Sequence, residues 1–433
     1  MKTKSLFNLL MITVSLACNA QMRIHVINVG QGCATLVEFP CAAILIDTGG
    51  ESNAYFDSSA SLQSYLEEFF IQRPDLQNTF ECVYLTHPHI DHTRGVSVIV
   101  QPPYKIKNIV TDGIENGSGG SQQKQLHKLA QDSEENSNPA DNIGLEAVVT
   151  DEIGNTGFTN EKIDAVNCSR INPEITVLWG TSVTNTGWAA EEFKDANNHS
   201  LVIKIKYGES TFLVTGDLEE AALKDMIRKY NGSSVLDSDV YMVGHHGSIN
   251  GTTQSLLDAV TPKIALIGAG DVGRKVYWTA WQYGHPRKEI LQMLQQILTA
   301  TRTPFHVQAG IKGTRNRTTE NFEDYIIRKG IYCTAWDDTI VLETSGDKMW
   351  KLVDPTTTPM LLLQDTDAVL PILNLNTASV AQLEALPGIG STKANAIFNY
   401  RQTHGNFTAV EQLDDVSGIG PATIDLVRPY VKI

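Results

Sequence analysis

The sequence predicts a layered α/β domain followed by a small all-α module. Three observations lead there: apolar strands alternate with helical stretches in two successive sets, a Pro- and Thr-rich stretch then breaks the pattern, and a short motif recurs in the helical region beyond it. A length of 433 residues fits two or three folded units. With 42% apolar and 19% charged residues the composition is that of a globular protein, which excludes a disordered or collagen-like chain.

The first twenty residues precede the fold. Lys2 and Lys4 form a short positive region, Leu6 to Ala17 is largely apolar, and Cys18-Asn19-Ala20 supplies small residues ahead of Gln21. This is the pattern of a secretory signal, with cleavage expected after Ala20. Export to the periplasm or the extracellular space follows. A lipid-anchored form through Cys18 is the alternative, although Ser15 fits a lipoprotein signature poorly. No later stretch has the apolar run that a membrane helix needs, so no membrane span is expected. Cys33, Cys41, Cys82, Cys168 and Cys333 form no CxxC pair, which argues against a zinc ribbon or a dithiol redox motif. Export permits disulfides, and Cys33 with Cys41 on one hairpin is a conceivable pair; small buried side chains are the preferred assignment.

The elements follow in order. Met22 to Leu36 and Ala43 to Asp47 read as strands, the first alternating and the second continuously apolar. A helix is predicted around Ser61 to Phe70, then a buried strand at Cys82-Val83-Tyr84-Leu85. Gly117 to Asn142, rich in Ser, Gly, Asn and Gln, is expected to be a surface insertion with a short helix near Gln122 to Gln131. Strands return at Ile175 to Leu178, Leu201 to Ile205, Phe212 to Thr215, Val240 to Val243 and Ile264 to Ile267, with helices at Glu219 to Tyr230 and Thr253 to Ala259. Asp354 to Pro359 (Asp-Pro-Thr-Thr-Thr-Pro) has linker composition. Beyond it, Leu383 to Gly390 (Leu-Glu-Ala-Leu-Pro-Gly-Ile-Gly) recurs as Leu413 to Gly420 (Leu-Asp-Asp-Val-Ser-Gly-Ile-Gly). The expected organisation is a signal over 1–20, a hydrolase domain over 21–352, a linker over 353–370 and a helical module over 371–433.

Chemistry concentrates after the strand at Cys82–Leu85. Thr86-His87-Pro88-His89-Ile90-Asp91-His92 puts three histidines and an aspartate on one loop: His87 and His89 can serve one cation, Asp91 and His92 a second. Imidazole and carboxylate suit Zn²⁺, with Mn²⁺ or Fe²⁺ as alternatives. Two later strands end in candidate ligands, Gly216-Asp217 and Gly244-His245-His246-Gly247-Ser248. Strand ends that deliver side chains to one rim are where α/β folds place active sites.

These motifs resemble the metallo-β-lactamase superfamily. Within it, Asn28-Val29-Gly30-Gln31-Gly32, Leu45-Ile46-Asp47-Thr48-Gly49-Gly50, Asn197 to Val202, Tyr283-Gly284-His285-Pro286 and Asp337 to Ile340 resemble the ComEC-like hydrolase domain, over roughly residues 22 to 350. The resemblance implies a four-layer αββα fold with two divalent metal ions at one edge, Zn²⁺ first and Mn²⁺ as the alternative. It implies that His87 and His89 hold the first ion, that Asp91, His92 and His245 hold the second, and that Asp217 bridges them. His199 and Asn198 compete to complete the first site. Asp47 orients a ligand histidine. Asp91, Asp217 and His246 form the implied catalytic set, with His246 or His285 touching phosphate or leaving group and Ser248 donating a hydrogen bond. Lys275 and Arg287 are further candidates for phosphate contact. Two ions about 3.5–4 Å apart can share a nucleophilic hydroxide and neutralise an attacked phosphate. Cys33 departs from the pattern, standing where ComEC-like chains carry an acidic residue; no membrane channel of the ComEC kind is present, so DNA transport is not implied.

The repeated segments resemble tandem helix-hairpin-helix domains of the ComEA kind. The resemblance implies non-specific DNA binding in which Gly388 and Gly390, then Gly418 and Gly420, open helices whose first backbone N–H groups hold phosphate oxygens. Lys393 adds a cation, and Asn374 to Asn376 are candidate side-chain contacts. This matters because the net charge of −15 offers no general basic surface for DNA. The expected function is an exported, metal-dependent nuclease that hydrolyses DNA phosphodiesters and is tethered to its substrate by the hairpins. The alternatives are a hydrolase of another ester or amide, such as a phosphorylcholine ester or a lactam, and a non-catalytic DNA-binding or uptake protein. Partner proteins are not indicated.

Overall fold

Period-two alternation gives each central strand two apolar faces, and the fold buries both. In Ala43–Ile46, Ile44 and Ile46 point into one core while Ala43 and Leu45 point into another. Cys82–Leu85 divides in the same way, with Cys82 and Tyr84 on one side and Val83 and Leu85 on the other. A strand of this kind must be covered on both sides, which dictates layers. The computed structural model describes residues 21–135, 138, 141–311, 321–353, 373–384, 386 and 389–433. The expected signal over 1–20 and most of the expected linker, including Asp354 to Pro359, lie outside the described residues.

The first sheet has eight strands, in the order 144–147, 108–111, 82–85, 43–46, 35–38, 22–26, 340–344 and 351–353. The second has six, in the order 174–179, 202–207, 210–214, 240–242, 264–267 and 331–333. The sheets pack face to face: Ile24, Val37, Ile44 and Tyr84 of the first share a core with Val177, Ile203, Phe212 and Leu266 of the second. Helices cover both outer faces. Leu62 and Leu66 of Ser58–Gln72 and Leu126 of Gly120–Ser133 pack on the first sheet. Leu223 and Met226 of Glu220–Lys229, Leu256 and Leu257 of Gln254–Val260, and Leu291 and Leu294 of Lys288–Ile297 pack on the second. The result is the four-layer αββα arrangement.

Each sheet changes direction part-way. In the first, 43–46, 82–85, 108–111 and 144–147 run parallel, whereas 22–26, 35–38 and 43–46 are antiparallel. In the second, 210–214, 240–242, 264–267 and 331–333 run parallel. Strands 82–85, 210–214 and 240–242 lead directly into the three candidate ligand segments.

Three expectations need correction. The run from Met22 to Leu36 is two strands, Met22–Val26 and Thr35–Glu38, separated by the Gly30-Gln31-Gly32 turn. The polar stretch from Gly117 is not an insertion: its helix Gly120–Ser133 buries Gln123, Leu126, His127 and Ala130 in the outer layer. Polar side chains are accommodated there because Gln123 donates to Asp112 and Ile114, and His127 bonds Thr111 and Glu115. Cys41 pairs with Cys168 in a disulfide across 127 residues, not with Cys33; Cys33, Cys82 and Cys333 are free and buried. Among the described residues no helix is long and apolar enough to cross a membrane.

The C-terminal segment has its own core of Leu375, Leu383, Ile389, Ile397, Leu413, Ile419 and Val427, among others. The helices Val380–Glu384 and Ser391–His404 form one hairpin, and the turn Val410–Asp415 with helix Pro421–Val427 forms a second. The short strands Leu373–Asn374 and Val431–Lys432 pair and bring its two ends together.

The disulfide closes a loop of 127 residues between the turn after strand Thr35–Glu38 and the segment entering the second sheet. Closing so long a loop removes much unfolded-state entropy, so reduction should cost about 2–5 kcal/mol. Urea titration with and without dithiothreitol checks this; identical midpoints would show that the bridge contributes nothing.

Candidate metal centre

The Gly216-Asp217 turn decides where the site forms. Gly216 has φ +52°, and a Cβ there would stand 2.9 Å from the Cβ atoms of both Ser200 and Thr86. Only glycine allows this approach, which carries the Asp217 carboxylate between the two sheets. Asp47, His245 and His246 also have left-handed backbones, with φ of 57°, 50° and 55°. For non-glycine residues this costs of order 1–3 kcal/mol each and marks positions the surroundings must hold. At His245 the hold includes its N–H donating to Gly216 O at 3.2 Å.

The segments converge on a compact set of four donors, Asp91, His92, Asp217 and His246. His92 Nε2 lies 3.1 Å from Asp217 Oδ1 and 3.3 Å from His246 Nε2. His246 Nε2 lies 3.2 Å from Asp91 Oδ2 and 3.4 Å from Asp217 Oδ2. The other nitrogen of each ring is already engaged. His92 Nδ1 is 2.7 Å from Asp47 Oδ2, and Asp47 also accepts from Thr86 N and Oγ1 at 2.8 Å. His246 Nδ1 donates to the Gly268 carbonyl at 2.7 Å, and since a carbonyl only accepts, Nδ1 holds a proton and Nε2 faces the carboxylates.

The electrostatics follow from this packing. Burial opposes the charge on Asp217, but His92, His246 and His245 outweigh it and hold the carboxyl well below the usual range. Asp91 is likewise disfavoured by burial and brought down by His246 and His92. Burial also disfavours charge on His92 and His246, yet Asp217 raises both well above the ordinary histidine range, aided by Asp47 at His92. The buried Asp217 and the part-buried Asp91 thus favour positive charge on the facing imidazoles when no cation is present. A single divalent cation supplies the same positive charge at the same point. Asp217 Oδ1 is buried and is approached by His92 Nε2 at 3.1 Å without a hydrogen bond of good geometry. The residues therefore fit a divalent metal.

Several candidates are placed differently from the expectation. His246, not His245, sits in the four-donor set. His245 Nε2 is 3.8 Å from Asp217 Oδ2 and its Nδ1 is 3.4 Å from Glu219 Oε1. The choice falls out of the left-handed pair of residues, which turns one ring inward and leaves the other at the rim. His199 is not brought into the set: its Nε2 donates to Phe193 O at 2.8 Å and its Nδ1 accepts from Ser182 N at 3.1 Å. Asn198 is equally engaged, with Glu192 O and Ala222 N. His87 Nε2 meets His89 Nδ1 at 3.1 Å and lies 3.9 Å from Asp217 Oδ2. Among the described residues no third His, Cys, Asp or Glu donor forms a compact set with that pair. Ser248 donates to Asn250 at 2.7 Å. His285 is buried against Gln31, 3.4 Å away, with its ring 6.0 Å from His245 and 6.2 Å from His246; burial and these neighbours keep it neutral.

Two contacts escaped sequence reasoning. Glu219 lies two residues past Asp217, a spacing that could have flagged it. Cys33 Sγ is 3.8 Å from His246 Nδ1 and groups with His92 and His246; its position after Gly30-Gln31-Gly32, where ComEC-like chains carry an acidic residue, was the available signal.

In the C-terminal segment the structure describes Gly390, Lys393, Gly418 and Gly420, while Gly388 lies outside the described residues. Gly390 and Gly420 cap the helices Ser391–His404 and Pro421–Val427 without any side-chain cap, and a Cβ at Gly390, Gly418 or Gly420 would meet nothing. Lys393 Nζ reaches Thr423 Oγ1 at 3.3 Å, which places the two helix starts side by side. Pro421 lacks an N–H, so the second start offers one donor fewer than the first. Asn376 is structural: its side chain donates to Phe407 O and accepts from Phe407 N.

Comparison with known proteins agrees with this geometry. A profile described as the metallo-beta-lactamase superfamily matches residues 27–271, and one described as a helix-hairpin-helix motif matches residues 371–432. This chain belongs to the metallo-β-lactamase superfamily. ComE operon protein 3 of Bacillus subtilis (strain 168) is 24% identical over 286 residues, covering 64% of this chain and 31% of that protein. ComE operon protein 1 of the same organism is 34% identical over 62 residues, 14% of this chain and 30% of that protein. The chain thus spans about a third of the length of these relatives. Among solved structures, the metallo-β-lactamase fold protein YhfI of Bacillus subtilis matches with TM-score 0.33 and 13% identity, covering 57% of this chain and 85% of that one. A metallo-β-lactamase domain followed by a helix-hairpin-helix module is a ComEC-like arrangement, and the fold implies divalent metal binding.

Metal content tests the assignment of ligands. His246→Ala and Asp217→Ala should each lose a bound divalent cation in elemental analysis. Asp47→Asn should weaken it about 10–100-fold through the loosened His92 ring. His199→Ala should keep the metal while losing about 1–3 kcal/mol of stability as its two backbone partners go unpaired. Metal lost with His199→Ala but kept with His246→Ala would reverse the assignment.

Proposed function

We propose that this protein is an exported metal-dependent nuclease that hydrolyses DNA phosphodiester bonds and keeps its substrate near through the C-terminal hairpins. The observation that carries the proposal is the pairing, on one chain, of a largely buried two-carboxylate, two-imidazole cluster with helix starts lined up side by side. The first suits attack on an anionic ester, and the second suits contact with a phosphate backbone. Divalent metal at the cluster would supply a water nucleophile active at neutral pH and would neutralise charge on the phosphate.

The chain's own residues do the rest. Asp91, His92, Asp217 and His246 hold the cation, and Asp47 fixes the His92 ring through Nδ1. His87 and His89 stand beside Asp217 as a second pair of donors, open for a further cation to share with substrate oxygens. His245 has a fifth of its side chain exposed and Glu219 behind it, and its Nε2 would give a proton to the departing oxygen, the role expected of His246 or His285 from sequence. The strained backbone at His245 and His246 keeps one ring on the metal side and one on the solvent side.

Binding without a basic surface is consistent with the net charge of −15, because amide N–H groups and one lysine contact the backbone without reading sequence. Tethering raises the local substrate concentration even where each contact is weak. Export is supported by the Cys41–Cys168 disulfide, which persists in oxidising compartments, and by the signal pattern of residues 1–20.

Purified protein should degrade DNA when supplied with Mn²⁺ or Zn²⁺. A chelator should abolish this, and Asp217→Ala should lower the rate by roughly 10³-fold or more, the loss of several kcal/mol of charge stabilisation. DNA left intact across a range of metals would overturn the proposal, and parallel lactam and phosphorylcholine-ester assays would then identify the ester or amide acted upon. Removing residues 371–433 should weaken DNA binding at low salt; undiminished binding would remove the role given to the hairpins.

A further inference from the structure

The rim beside His285 is built from a short segment unusually rich in aromatic rings. Between Lys275 and Arg287 stand Tyr277, Trp278, Trp281 and Tyr283. Trp278 is 75% exposed and Tyr277 48%, large apolar surfaces of the kind a soluble protein normally keeps covered unless they are used. Trp278 holds this position on a left-handed backbone, φ 62°, fixed by its N–H donating to Oε1 of the buried Gln282 at 2.6 Å. Tyr277 packs edge-on against Trp281 at 6.2 Å. Tyr283 lies nearly parallel to His285, with centroids 5.6 Å apart and planes at 25°, and His285 lies nearly parallel to His246 at 6.2 Å and 28°. The rings of Tyr283, 37% exposed, His285 and His246 thus form a stacked series from the rim to a candidate metal ligand, and Tyr277, Trp278 and Trp281 stand on the same short segment.

The segment also carries positive charge in an acidic protein. Lys275 is exposed and makes no ion pair among the described residues. Arg287 follows His285-Pro286; its Nε makes no hydrogen bond but lies 3.5 Å from Glu289 Oε2 in an ion pair. Cations flanking open aromatic faces suit a single strand, whose phosphates lie beside bases free to stack. In a duplex the base faces are stacked on one another and cannot meet an indole.

We infer that residues 277–283 are a stacking platform for unpaired bases of single-stranded DNA, which deliver the adjoining phosphodiester to the metal centre. This rests on the nuclease proposal and adds the substrate class to it. Such stacking is worth about 1–3 kcal/mol per base, or roughly 5–150-fold in affinity.

The test uses the full chain and a labelled deoxyoligonucleotide, offered single-stranded and as a blunt duplex. Anisotropy with chelator present reads binding, and the ratio of cleavage rates with Mn²⁺ reads preference. Wild-type protein should prefer the single strand. Trp278→Ala should lose roughly 5–150-fold in single-strand affinity and shift the cleavage ratio toward duplex, while Trp278→Phe, which keeps a ring face, should restore most of both. Melting curves check that the variants fold. A folded Trp278→Ala with wild-type single-strand affinity and cleavage ratio would overturn the platform and leave the nuclease proposal standing. Loss of single-strand binding in Trp278→Ala, with neither DNA form cut by wild type, would uphold the platform and overturn the nuclease proposal.

Discussion

Two carboxylates, Asp91 and Asp217, are charged at the junction of two apolar sheets, and the surrounding structure depends on neutralising them. Burial alone would drive both toward their acid forms; the facing imidazoles of His92 and His246 reverse that and keep them ionised. The four groups tolerate one another only while positive charge sits among them, as protons or as a divalent cation. Much of the local architecture serves this arrangement. Gly216 admits Asp217, Asp47 and the Gly268 carbonyl fix the two rings, and Asp47 and His246 accept left-handed backbones that bring their side chains to the same point.

The layered fold supplies what the cluster lacks. The sheets provide a low-dielectric surround on both sides, and parallel strands ending at one edge bring segments distant in sequence to within hydrogen-bond range. The rim is softer and more polar, and there the chain places His245 with Glu219, the buried neutral His285, and the aromatic segment that follows strand Ile264–Ile267. On the proposed function the interior would hold charge, the rim would meet substrate, and the C-terminal hairpins would hold backbone phosphates.

What sequence could reveal was set by how local each signal is. The two-sheet α/β class was legible because strands buried on both faces have a distinctive apolar run, and the candidate donors on the His87–His92 loop were legible because they lie within six positions. His245 and His246 could not be told apart from sequence, since adjacent histidines differ here only in backbone rotation. His199 was a chemically sound candidate, but its ring is turned away by Ser182 and Phe193, contacts that arise only on folding. The helix Gly120–Ser133 was taken for surface because its buried Gln123 and His127 are polar; their partners, Asp112, Thr111 and Glu115, were not visible as such. The Cys41–Cys168 bridge spans 127 residues, and no local pattern predicts a partner at that distance.

Anomalous diffraction from crystals soaked in Mn²⁺ or Zn²⁺ addresses the charge argument at its source. A metal peak bonded to Asp91, His92, Asp217 and His246, with His245 and His199 outside its coordination sphere, is the expected result. A peak elsewhere in the protein, or none at saturating metal, would contradict it.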